Sequence, residues 1–321
     1  VLETRRVKPR PGWEEALAYL DRGTVLVVGA AGTGKTPLAG FLTAQLGRGL
    51  RRVAEIDADP GQTSIGPAGC LGLALTRPWR APAAQWFVGG TSARNRPLHT
   101  VVGTARLAER ARREGAELVV LDAPAVEPNG GGAADPRIWE LLHHMTLATG
   151  VDQVVAIERN GELRPFLDVI KGRIAIYRVP APEADPAAEI LGDGPLEAGV
   201  DRSNGDAAPQ ERRAAARRRA AEARLRAHLA DARPLRFARR RILDSAWIPG
   251  ADPAPGAVVG LLDEEGFCLA LGVVEEVAKD SVVLLTPWRD RRTVARLQLG
   301  ALRVRRIEGP GDEPAVEWEL L

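Results

Sequence analysis

Residues 29–36 read Gly-Ala-Ala-Gly-Thr-Gly-Lys-Thr, a match to GxxxxGK[ST], and they directly follow the apolar run at 24–28. No other feature of the chain narrows its fold as much. Such a loop works only between a buried strand and a helix N-terminus, where backbone N–H groups and the helix dipole converge on a phosphate. The flanks comply. The run at 24–28 is short and continuously apolar, as a strand covered on both faces must be, and Leu38, Phe41, Leu42 and Leu46 follow at helical spacing. On this reading Gly29, Ala30, Ala31, Gly32, Thr33, Gly34, Lys35, Thr36 and Pro37 cradle the phosphates of a nucleotide. Lys35 reaches the β and γ phosphates and Thr36 offers a hydroxyl to Mg2+. A glycine-rich turn without ligand is the plainer alternative. Pro37 is a local oddity, because the N–H at that position commonly grips the α phosphate and proline has none.

Apolar runs recur at 53–56, 118–121, 154–157 and 174–179. Between them lie helical patterns at Leu98, Val101, Val102, Ala105 and at Ile138, Leu141, Leu142, Met145. Strands alternating with helices imply an α/β fold, a P-loop NTPase core with a mostly parallel sheet. The pattern stops near Pro180. Residues 181–210 are rich in Pro, Gly, Ala and acidic side chains, which predicts a mobile loop. Alanines and arginines then predict a helix, and short alternating runs from about Arg236 onward predict a small β-rich module. The expected division is 1–235 for the P-loop domain, with an arginine-rich helical lid at about 205–230, and 236–321 for the β-rich domain.

Charge becomes informative only when placed along the chain. The totals of 44 basic and 42 acidic residues give +2, and with 45% apolar residues they describe an ordinary packed globule. Only Lys8, Lys35, Lys171 and Lys279 are lysines, and none sits in an [NT]KxD guanine-reading sequence. Between 212 and 241 there are 12 arginines against Glu222 and Asp231. A solvated charged helix would explain this locally; a lid over transferring phosphate would too. Cys70 and Cys268 match no CxxC spacing. No apolar run approaches the ~18 residues of a membrane helix, so a cytoplasmic protein without a membrane partner is expected.

Acids complete the site. Glu55-Ile-Asp57-Ala-Asp59-Pro-Gly61-Gln62 ends the second predicted strand, on the sheet edge where open α/β folds bind ligands. If the strand persists, alternation puts Asp57 and Asp59 on one side, facing Mg2+ and an incoming hydroxyl; a solvated turn is the alternative. Asp122 ends LVVLD and fits a hydrophobic strand closing on a metal ligand, or equally a cap.

The order VLVVGAAGTGKTPLAG, AEIDADPGQTSIGPAG, QWFVGGTSARNRPLHTVVG, LVVLDAPAV, the arginine-rich helix and PGAVVGLLDEEGFCLALGVV resembles the polynucleotide 5′-hydroxyl kinases, relatives of the RNA kinases of pre-mRNA cleavage, tRNA and pre-rRNA processing. The resemblance spans Trp13 to about Arg305, and DxDxGQ about twenty residues after the P-loop is its most specific element. It implies an enzyme that uses ATP and Mg2+ to phosphorylate the 5′-OH of single-stranded RNA or DNA. It further implies that Lys35 and Thr36 act as phosphate-loop residues, Asp59 as general base and Gln62 as a polar acceptor contact. Thr91 and Ser92 fall near the acceptor, with Ala93 in place of the family's proline. Two lid arginines five residues apart correspond to Arg212 and Arg217, and Arg213 is a rival because it shares a helix face with Arg217. Where the family carries a TxGW-like clasp, this chain has Asp122-Ala123-Pro124-Ala125. That departure keeps a second reading open, an assembly factor of an RNA-processing complex that binds nucleotide without transferring phosphate.

Overall fold

The run that precedes the phosphate loop forms β1 (Gly23–Gly29), with Thr24 to Gly29 all buried. The computed structural model describes residues 9–48, 51–76, 78–127, 134–182, 209–242, 253–308 and 316–320. β2 (Val53–Asp57), β5 (Leu118–Asp122), β6 (Gln153–Glu158) and β7 (Ala175–Pro180) join β1 in parallel pairing. Two further strands, β3 (Cys70–Thr76) and β4 (Trp79–Phe87), extend the edge antiparallel, giving the order β4-β3-β2-β5-β1-β6-β7. The sheet is thus a mostly parallel α/β core. β1 lies between β5 and β6, so the loop leaving it opens at the centre of the carboxyl edge.

Helices cover both faces. On one side α1 (Trp13–Leu17) and α2 (Lys35–Leu46) bury Trp13, Leu38, Phe41 and Leu42 against Val25, Val27 and Val120. On the other, α3 (Pro97–Arg113), α4 (Pro136–Thr149) and α5 (Arg164–Ile170) bury Leu107, Leu141, Met145 and Phe166 against Leu26, Ile56 and Leu121. Alternate residues of β1 therefore feed two different cores, which is why its whole length is apolar. Each fully buried Leu, Val or Phe removes enough apolar surface from water to contribute about 1.5–3 kcal/mol. Trp13 packs against Phe41 with ring centroids 5.4 Å apart and the rings tilted by 47°.

The β-rich module is a six-stranded antiparallel sheet in the order β13-β12-β9-β10-β11-β8. It comprises β8 (Arg233–Ala238), β9 (Ala257–Leu262), β10 (Cys268–Val277), β11 (Ser281–Thr286), β12 (Arg296–Glu308) and β13 (Val316–Leu320). The expected boundary at 235/236 falls inside β8, which pairs with β11 along its whole length. Phe87, at the end of β4, lies against Gly260 and Gly300 of this second sheet, where a methyl group would sit 2.6 and 2.8 Å from its ring. The arginine-rich helix is α6 (Pro209–Leu229). Its Ala221, Leu225 and Leu229 form a buried stripe on the same cluster, and His228 Nε2 accepts the Leu271 N–H at 3.0 Å. Most of the predicted mobile loop, 183–208, lies outside the described residues.

Candidate functional site

Gly29, Gly32 and Gly34 are glycines for identifiable reasons. A Cβ on Gly29 would sit 2.5 Å from Thr33 Oγ1, while Gly32 and Gly34 adopt φ of 74° and 90°, a region L side chains avoid. The loop closes on itself: Thr33 Oγ1 donates to Ala30 O at 2.9 Å and Lys35 Nζ donates to the same oxygen at 3.0 Å. Ala31 N–H reaches Val126 O at 3.2 Å, and Val126 N–H reaches Gly29 O at 3.1 Å. The segment after β5, including Ala123, Pro124 and Ala125, is therefore buried beneath the phosphate loop. The small residues at these positions support the loop.

Two of the sequence-predicted acids lie side by side at the carboxyl edge. Asp57 and Asp122 end adjacent parallel strands as register partners. Thr36 Oγ1 donates to Asp122 Oδ2 at 2.5 Å, which joins the first turn of α2 to the end of β5. A hydroxyl and a carboxylate so placed are hard oxygen donors of the kind Mg2+ takes from proteins that also bind phosphate. Asp57 is differently engaged. Its Oδ1 accepts the Asp59 N–H at 3.0 Å, and its Oδ2 accepts both the N–H and the Oγ–H of Ser64. Burial, with Asp59 adding to it, pushes the Asp57 carboxyl up to about 6 against those hydrogen bonds. Thr36 and Asp122 thus fit a metal directly, and Asp57 braces the loop that carries Asp59. No group of three or more His, Cys, Asp or Glu side chains among the described residues is arranged to hold a metal ion.

Strand alternation does not place Asp59, because β2 ends at Asp57. A turn places it instead: Asp59 Oδ1 accepts N–H groups of Gly61 at 2.9 Å and Gln62 at 3.2 Å. Gly61 is required, since a Cβ there would lie 2.3 Å from Thr91 O. Asp59, Gln62 and Thr91 are in this way brought into one loop cluster. Thr91 and Ser92 line a groove of about 410 Å3 with Asn95, Arg96 and, from β12, Ala301 and Leu302.

Arg217 of α6 lies near this edge. It pairs with Glu127, and Asp59 lies close enough to favour its charged form while burial and Arg94 lower its pKa from the ordinary guanidinium value. Arg94 bridges Glu127 and Asp135, each at 3.4 Å. Arg212 and Arg213 lie in α6, but their side chains are outside the described residues. The arginines at 236–241 bond within their own sheet: Arg236 to Ser281 Oγ at 2.8 Å and Arg241 to Val294 O at 2.5 Å.

Four residues escaped the sequence reading. Arg94, Glu127 and Asp135 form the ion-pair chain behind Arg217, and Arg10 lies over the Trp13 ring at 5.7 Å with its guanidinium beside Gly34. Only Arg94 carried a signal, as one of the two arginines within the TSARNR segment.

Residues 29–188 match the family model described as mRNA cleavage and polyadenylation factor CLP1 P-loop. The chain belongs to the Clp1 P-loop family. Among relatives, the Clp1-family chain is 33% identical over 156 residues to a polyribonucleotide 5′-hydroxyl-kinase of Pyrococcus horikoshii, covering 46% of this chain and 40% of that protein. It is 24% identical over 330 residues to the polyribonucleotide 5′-hydroxyl-kinase of Pyrococcus furiosus, covering 88% and 87%. A solved structure of wild-type Clp1p in complex with Pcf11p 454–563 superposes with a TM-score of 0.59 at 13% identity, over 91% of this chain and 77% of that one. This last likeness is one of fold. No described helix is long and apolar enough to cross a membrane.

Proposed function

We propose that this Clp1-family chain is an ATP-dependent polynucleotide 5′-hydroxyl kinase that acts on the 5′ end of RNA or DNA. One observation carries the reading: a phosphate loop whose Thr36 is bonded to Asp122 faces, across the carboxyl edge, an oriented Asp59 that is electrostatically coupled to Arg217 of the lid helix. Donor, acceptor base and lid cation converge on one edge, as in-line phosphoryl transfer requires. The names of the archaeal relatives support RNA as the acceptor.

Lys35 and the loop N–H groups bind the β and γ phosphates of ATP. Thr36 and Asp122 would hold Mg2+, which would supply positive charge against the phosphates. The turn at Gly61 and Gln62 uses Asp59 Oδ1, which leaves Oδ2 to take the proton of the 5′-OH as its oxygen attacks the γ phosphorus and ADP departs. Arg217, and from the same helix Arg212 or Arg213, offset charge on the transferring phosphoryl group. Thr91, Ser92 and Gln62 orient the acceptor. Arg10 adds a cation beside the loop where Pro37 supplies no N–H.

Purified protein with ATP, Mg2+ and 5′-OH oligonucleotides tests this. Transfer that is lost in Lys35→Ala and Asp59→Asn, with folding retained, supports it. The segment Ala123-Pro124-Ala125, which lacks the aromatic clasp, favours the second reading of a nucleotide-binding assembly factor. Tight ATP retention with no transfer to any end would establish that reading instead.

A further inference from the structure

Cys70 and Cys268 are the chain's two cysteines, and 197 residues separate them. The fold nevertheless brings them face to face. Cys70 opens β3 of the parallel sheet, Cys268 opens β10 of the antiparallel sheet, and both belong to the apolar cluster that joins the two sheets. The two thiols are near enough to influence each other electrostatically, Cys268 Sγ donates to Ala270 O at 3.3 Å, and both are free and buried.

Beside Cys70 the two sheets touch, its register partner Phe87 packing on Gly260 of β9 and Gly300 of β12. Ala301 N–H donates to Gly89 O at 2.7 Å, and a Cβ on Gly89 would lie 3.0 Å from Gly300 Cα. Stacked sheets normally lie ~10 Å apart, too far for the Cα separation of about 4.4–6.8 Å that a disulfide needs. Glycines on both sides of this interface let the sheets close locally beyond that norm. Two cysteines chosen for packing alone gain nothing from meeting; Ala or Val would fill the space without an oxidisable group.

We propose that Cys70 and Cys268 form an oxidation site, at which a small peroxide converts the thiol pair into a disulfide that staples the kinase sheet to the sheet anchoring the lid helix. Cys268 retains 5% exposure against 0% for Cys70, so the peroxide meets Cys268 first. Its sulfur attacks the O–O bond to give a sulfenic acid and one water. The Cys70 sulfur then attacks that sulfur, the S–O bond breaks, and the departing hydroxide takes the Cys70 proton as a second water. Two thiols lose two electrons and hydrogen peroxide is reduced to two waters. Burial pushes the Cys70 thiol well above its usual range, which makes the reaction slow until the interface opens locally, and so faster on warming.

The full chain is incubated with a small excess of hydrogen peroxide at rising temperatures below its melting point, then denatured in the presence of an alkylating agent and mapped without reduction. The expected result is loss of both titratable thiols, one peptide pair joined through positions 70 and 268, and a rise in Tm on the order of 5 °C that dithiothreitol reverses. The variant Cys268→Ser should retain its thiol and show no such rise. Cys268→Ala serves equally if the serine is not tolerated in the core. Two intact thiols, sulfinic acid at either position, or disulfides only between molecules would each overturn the proposal.

Discussion

Pro37 makes the phosphate loop's grip quantitatively predictable. Helix α2 begins at Lys35, and the Leu38 N–H is already committed to Gly34 O at 3.0 Å. Position 37 is the last whose N–H would point out of the helix end, where a nucleotide α phosphate lies. The helix tolerates proline there because that N–H has no partner within the helix. Its loss falls wholly on the ligand. A hydrogen bond to a charged acceptor is worth about 1.5–3 kcal/mol, and 1.4 kcal/mol is tenfold in affinity. Pro37→Ser and Pro37→Ala should therefore both tighten ADP binding, by about 10- to 100-fold, as measured by isothermal titration. The alanine variant separates the amide from the serine hydroxyl. Removing proline also loosens the unfolded chain, a cost of about 0.4–1 kcal/mol to folding that leaves affinity unaffected. If both variants bind ADP within twofold of the parent, the argument from the missing amide is refuted. If only serine tightens binding, the hydroxyl is responsible and the argument fails equally.

Other expectations follow from particular contacts. Asp122→Asn keeps the geometry but weakens the carboxylate that Thr36 bonds, so the Mg2+ concentration for half-maximal ATP turnover should rise at least tenfold; an unchanged Mg2+ dependence would remove Asp122 from the metal site. Phe87→Ala empties the bed formed by Gly260 and Gly300 and should cost about 3–5 kcal/mol in denaturant unfolding; a loss below 1 kcal/mol would show that the two sheets do not depend on it. His228 has its pKa lowered to about 4, first by burial, with the Leu271 N–H among its contacts. Above pH 6.5 it is neutral both folded and unfolded and costs nothing. As pH falls from 6.5 toward 4 only the unfolded chain takes up the proton, so stability drops by up to ~3 kcal/mol. Thermal melts of His228→Gln over that range should show a shallower decline than the parent; parallel curves would exclude the assignment.

The parallel core was legible because its strands are buried on both faces and read as unbroken apolar runs. β1, β2, β5, β6 and β7 each coincide with one, and α2, α3 and α4 fall where the helical spacing places them. β3 was not legible, and of β4 only Trp86 and Phe87 read as strand residues. β4 carries Arg80 and Pro82, which break an apolar pattern and are tolerated because β4 is the edge strand. At the site, the phosphate loop and its acids announce themselves because backbone demands fix glycines and spacing. The Arg217–Glu127–Arg94–Asp135 chain does not, since its members come from four separate segments and their meeting is a property of the fold. The same holds for Arg10 beside Gly34 and for the two cysteines. Asp59 shows the distinction within one motif: its place near the carboxyl edge could be read from DxDxGQ, whereas a turn holds it there instead of the strand alternation expected to do so.

The central claim is that Asp59 and the phosphate loop act together on a 5′-hydroxyl. The most direct measurement gives the purified chain γ-labelled ATP, Mg2+ and matched 5′-OH and 5′-phosphate RNA oligonucleotides. Label should appear on the 5′-OH strand alone, and should vanish in Lys35→Ala and fall at least 100-fold in Asp59→Asn while ATP binding by the latter is kept. Undiminished transfer by Asp59→Asn would contradict the assigned base, and absence of transfer to any 5′-OH end by a protein that binds ATP would contradict the account as a whole.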